Sequence, residues 1–109
     1  MKEKKGRGGM KLETRDRLME LGIVIGAVRK MRGMSQEQLA EKIQISRSFL
    51  SMIEAPNTAQ TFSLETLYSI ADALEVRAGD LMNGMLLPEE ARTEAAGGMQ
   101  QERRELYFE

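Results

Sequence analysis

Apolar side chains recur at helical spacing along most of this chain. Leu18, Leu21, Ile25 and Val28 stand three, four and three positions apart, which predicts an amphipathic helix from Arg15 onward with one apolar face. Gly33 is a natural stop for it, after Arg29, Lys30 and Arg32 have placed positive charge at the negative end of the helix dipole. Ser35, with Gln38 three residues on, predicts a capping box opening a second helix whose inward positions are Leu39, Ala40 and Ile43. Gln44-Ile45 interrupts that pattern. Ser46 then caps a third helix carrying Phe49, Leu50 and Ile53, and Pro56 confines its end to the stretch Ile53–Ala55. Ser63 caps a fourth helix with Leu64, Leu67, Ile70, Ala71 and Leu74 on one side, and a short fifth around Gly79–Met82 turns Leu81 to the same core. The expected fold is all-α, with five helices.

The two ends depart from this pattern. Gly6, Gly8 and Gly9 among basic residues predict a flexible basic arm over residues 1–14, so the folded domain is expected over 15–84. Residues 85–109 form an acidic tail, in which Pro88-Glu89-Glu90 suits a helix start and Gly97-Gly98 its end. Leu106, Tyr107 and Phe108 place three apolar side chains at the extreme C-terminus, where a solvated tail has no reason to expose them.

Composition narrows the chemistry. With 109 residues and 41% hydrophobic side chains, the chain can bury one small core. It has no cysteine and no histidine, so thiolate metal sites, disulfides and the commonest general base are all excluded. No serine or lysine stands beside a plausible base, and no catalytic residue, metal or cofactor is nominated; the chain is not expected to be an enzyme. The longest apolar run, LGIVIGAV, is less than half of the ~18 residues a membrane span needs, and a soluble, cytoplasmic protein is expected.

The net charge of −1 hides an asymmetry: residues 1–53 hold twelve Lys and Arg against six Asp and Glu, while residues 54–109 hold four against eleven. A basic first half could meet phosphates while the acidic second half faces away or meets a protein.

The stretch SQEQLAEKIQISRSFLSMIEA, Ser35 to Ala55, has the constraints of two helices crossing steeply about a short turn. Ala40 stands where they approach most closely, and Leu39, Ile43, Ile45, Leu50 and Ile53 occupy positions that must be apolar to join the pair to its neighbours. The segment from Leu21 to Met82, 62 of the 109 residues, resembles the five-helix domain of the Cro/CI family, the phage-repressor-like (XRE family) helix-turn-helix proteins. The likeness rests on Arg-x-x-x-Gly-apolar-Ser, Gln-x-x-Leu-Ala and Ser-x-x-x-Leu-x-x-Ile-Glu in order, followed by SLETLYSIADALEV and DLM.

That resemblance implies a protein that binds double-stranded DNA, its third helix entering the major groove and its second lying across the backbone. Carried over position by position, Arg47 and Ser48 would read base edges, with Met52 one turn further along. Their chemistry suits base contact, since Arg47 can donate two hydrogen bonds to guanine, Ser48 can bond several bases, and Met52 can touch a thymine methyl. Gln36 would hold a phosphate at the start of helix two, with Ser46, Ser51, Asn57 and Thr58 as further phosphate contacts. Arg29 and Glu54 match the family's structural ion pair.

Two departures from the family pattern stand out. Gln44 replaces the glycine usual in the turn, at a cost of roughly 1 kcal/mol if the backbone is left-handed there. The loop APNTAQTF contains no lysine or arginine, although relatives often place one there for phosphate contacts. The arm is open to two readings, a solubilising leader or a basic segment that wraps the duplex. The function expected is that of a transcriptional regulator, a repressor occupying an inverted-repeat operator as a homodimer, with the dimer surface involving helix five and the tail, including Leu81, Met85, Leu86 and Leu87. Alternatives are an antitoxin holding its toxin through the acidic tail, a restriction-modification controller, and a protein-interaction adaptor with little DNA affinity.

Overall fold

The computed structural model describes residues 10–84. Within them the helices are α1 (Leu12–Met31), α2 (Gln36–Ile43), α3 (Arg47–Glu54), α4 (Leu64–Leu74) and α5 (Ala78–Asn83). The expectations for the glycine-rich leader and for residues 85–109 lie outside these bounds.

Serines open the three middle helices. Ser35 Oγ accepts from the Gln38 backbone N–H at 3.0 Å, while Gln38 Oε1 accepts from the Ser35 N–H at 2.8 Å, completing the capping box. Ser46 Oγ accepts from the Phe49 N–H at 2.9 Å, and Ser63 Oγ from the Thr66 N–H at 3.0 Å. Each contact satisfies a helix-end donor that would otherwise need water.

The helix exits share a second device. The N–H of Met34, Ile45 and Val76 reaches back to the carbonyl of Arg29, Ala40 and Ala71 respectively, each at 3.0–3.1 Å, around a left-handed residue. That residue is Gly33 in the first case, but Gln44 (φ 63°) and Glu75 (φ 61°) in the others. The left-handed turn expected at Gln44 is present, and Glu75 repeats it where no sequence signal marked it.

The core is drawn from all five helices. Ile25, Leu39, Leu50, Ile70 and Leu81, one from each helix in order, have no solvent exposure. α1 packs against α3, α4 and α5, and α2 joins α3 to α4. Two inward assignments are corrected. Leu64 is 68% exposed, because it lies in the first turn of α4 at the margin of the apolar face, between the exposed Ser63 and Glu65. Leu18 is only partly buried and lines a groove with Leu21, Met82 and Asn83, while Met19, Gly22, Val24 and Gly26 join Ile25 and Val28 on the buried side of α1. The complete burial of Leu81 likewise removes it from any exposed dimer surface. α1 also begins three residues before Arg15, inside the segment expected to be arm.

Two glycines set the distance between α1 and α3. A Cβ on Gly22 would overlap the carbonyl oxygen of Ile53, and one on Gly26 would stand 3.1 Å from Glu54 Oε1. Spaced four apart, they share one face of α1 and admit the end of α3 against the helix backbone. Among the described residues, no helix is long and apolar enough to cross a membrane.

Candidate nucleic-acid interface

α3 divides its eight residues between core and solvent. Leu50 and Ile53 are buried, Phe49 is partly buried against the core cluster, and Arg47, Ser48 and Met52 are exposed, Met52 by 47%. Ser51 is half-buried on the same outward side. Arg47 is the first residue of the helix, directly after the Ser46 cap. Its guanidinium makes no ion pair or side-chain hydrogen bond among the described residues, which leaves all its donors available. Ser46 Oγ already accepts from Phe49, so its hydroxyl proton remains for an outside acceptor.

Behind α3 lies a polar network. Arg29 Nε donates to Glu54 Oε2 at 2.8 Å and Arg29 Nη2 to Glu54 Oε1 at 2.9 Å, a paired fork between side chains only 8% and 7% exposed. Arg29 Nη1 also donates to the Met34 carbonyl at 2.7 Å. The pair therefore ties the exit of α1 to the last residue of α3. Gln36 joins it, Nε2 donating to Glu54 Oε1 at 2.9 Å. No buried side-chain N or O among the described residues lacks a partner.

Gln36 thus stands at the first position of α2 with one amide N–H committed inward, leaving its other N–H and its carbonyl oxygen for an outside group. Asn57 is exposed and Thr58 half-buried in the loop after α3, the Thr58 N–H being held by the Ala55 carbonyl at 3.2 Å. Glu54 thus joins the exit of α1 and the start of α2 to the end of α3, and the loop carrying Asn57 and Thr58 follows it in the chain. Sequence reading missed Gly22, Gly26 and the bond from Gln36 to Glu54. The four-residue spacing of the glycines on one helix face was the available signal, whereas the Gln36 bond joins residues 18 apart and has none.

Comparison with known proteins agrees with this architecture. The family model for a helix-turn-helix domain matches residues 22–87, more than half of the chain. An immunity repressor protein of Bacillus phage phi105 is 38% identical over 76 residues, covering 70% of this chain and 51% of the repressor. The chain therefore spans about half the length of that relative. A crystal structure of the clp gene regulator ClgR from Corynebacterium glutamicum superposes with a TM-score of 0.62 at 25% identity, covering 84% of this chain and 88% of the regulator. By its helices, its turn and these matches, the chain belongs to the helix-turn-helix family of transcriptional regulators, of the Cro/CI, phage-repressor-like type.

Proposed function

We propose that this chain is a sequence-specific double-stranded DNA-binding repressor that occupies an inverted-repeat operator as a homodimer. The observation that carries this reading is the exposed guanidinium of Arg47 at the leading end of α3, unpaired among the described residues, with Ser48 and Met52 beside it. A guanidinium so presented can donate to O6 and N7 of one guanine per half-site, Ser48 to a neighbouring base, and Met52 can pack on a thymine methyl. Gln36, Ser46, Ser51, Asn57 and Thr58 hold phosphates on either side and set the depth of insertion. One such helix reads only a few base pairs, so two copies about one helical turn apart, ~34 Å, are needed for a specific site. The names of the phage immunity repressor and the clp gene regulator support the same class of activity.

Selection of bound duplexes from a random pool tests the proposal. An inverted repeat with a recurrent guanine in each half-site is expected, and Arg47→Ala should weaken binding by about 1–3 kcal/mol while relaxing the preference at that guanine. A pool that stays random after selection, or an Arg47→Ala protein with unchanged base preference, refutes it.

A further inference from the structure

The loop between α3 and α4 lacks a basic residue over its whole length, residues 55–63 reading APNTAQTFS. Neutral donors alone make weak phosphate ligands, because most of the affinity for a nucleic-acid backbone comes from charge neutralisation and release of counterions. Tertiary structure brings a cation to this loop from a distant part of the chain. Arg15, one turn into α1, lines a concavity of about 260 Å³ together with Met10, Asn57, Thr58 and Ala59. Among the described residues, no carboxylate lines it. Arg15 is partly buried, and its guanidinium has no ion pair and no side-chain hydrogen bond among the described residues.

An arginine held beside two neutral donors, with no acid among the described residues of the same concavity, is matched to an anion from outside. The Asn57 amide and the Thr58 hydroxyl each offer a proton, and Arg15 offers a planar fork, which suits the two non-bridging oxygens of a phosphodiester. The loop carrying Asn57 and Thr58 leaves directly from the last residue of α3, Glu54, so the concavity adjoins the helix whose outer side carries Arg47, Ser48 and Met52. We propose that Arg15, Asn57 and Thr58 form a phosphodiester-binding site for duplex DNA, in which α1 supplies the cation that the α3–α4 loop lacks. This inference rests on the DNA-binding reading above and adds to it a residue outside the helix-turn-helix pair.

Arg17 provides an internal control. It is exposed two residues further along α1 and lines a different groove, with Leu18, Leu21 and Met82. Binding to a fluorescent duplex recovered by selection is followed by anisotropy over a series of salt concentrations, with far-UV circular dichroism checking that each variant retains the wild-type fold. Neutralising one phosphate contact changes the slope of log K against log salt by about 0.9. Arg15→Gln is therefore expected to flatten the slope by about that amount, Arg15→Lys to keep it near the wild-type value, and Arg17→Gln to leave it within a few tenths. An unchanged slope in Arg15→Gln overturns the proposal, as does an equal loss in Arg17→Gln, which would reveal a non-local charge effect. Loss of slope in Arg15→Lys overturns it as well. If the wild-type protein binds no duplex even at low salt, the DNA-binding reading itself falls and takes this site with it; if it binds and Arg15→Gln is indistinguishable from it, only the site falls.

Discussion

Replacing Glu54 by glutamine keeps the side chain's shape and removes its charge. The change would leave the Arg29 cation in a position 8% exposed with no opposite charge, held only by the Met34 carbonyl and one amide oxygen. Whichever oxygen becomes an NH2 group, the guanidinium faces a donor and loses one acceptor, Oε2 for Nε or Oε1 for Nη2, and in the second case Gln36 loses its acceptor as well. Breaking one side of a buried pair costs about 3–5 kcal/mol, far above the ~0–1 kcal/mol of a solvated surface pair. Against the roughly 5–15 kcal/mol that holds a small domain together, such a loss is large. The measurement is urea unfolding followed at the helical ellipticity for the wild type, Glu54→Gln, Arg29→Met and the double variant. Both single variants are expected to lose about 3 kcal/mol or more. The double variant should be more stable than the sum of the two losses by about 2 kcal/mol, since it leaves no buried charge unpaired. Single variants that lose less than about 1 kcal/mol, or losses that add within about 0.5 kcal/mol, would refute the assignment of this pair as a buried, coupled unit.

Other outcomes follow from the same packing. Gly22→Ala drives a methyl into the Ile53 carbonyl, which is backbone and cannot rotate away, so a loss of about 3 kcal/mol or failure to fold is expected; thermal unfolding checks this, and a neutral effect would contradict the close approach of α1 and α3. Gly26→Ala meets a side chain 3.1 Å away and should cost about 1–2 kcal/mol, less than Gly22→Ala in the same assay. Glu75→Gly relieves a left-handed non-glycine residue at the end of α4 and should raise stability by roughly 1 kcal/mol, a gain visible as a higher urea midpoint. Leu81→Ala empties a fully buried position and should cost about 2–5 kcal/mol, which a dimer-surface leucine exposed in the monomer would not.

Much of this protein is written in local pattern. Helix starts at Ser35, Ser46 and Ser63, the stop at Gly33 and the inward positions Ile25, Leu39, Leu50 and Ile70 are all legible, because a cap or an apolar period acts within one or two turns of chain. The order of motifs around Ser35–Ala55 was enough to point to the family. Tertiary structure decided what depends on residues far apart in sequence. It turned Leu64 outward, since a helix's apolar stripe says which side faces a neighbour but not where along its length that neighbour ends. It converted Gly22 and Gly26 from members of an apolar run into the surface on which α3 rests, gave Gln36 a partner in Glu54, and set Arg15 beside a loop some forty residues away. Short-range steric and hydrogen-bonding preferences act before the chain has a shape, whereas close backbone approach and the pairing of charges exist only once the helices have been laid against one another.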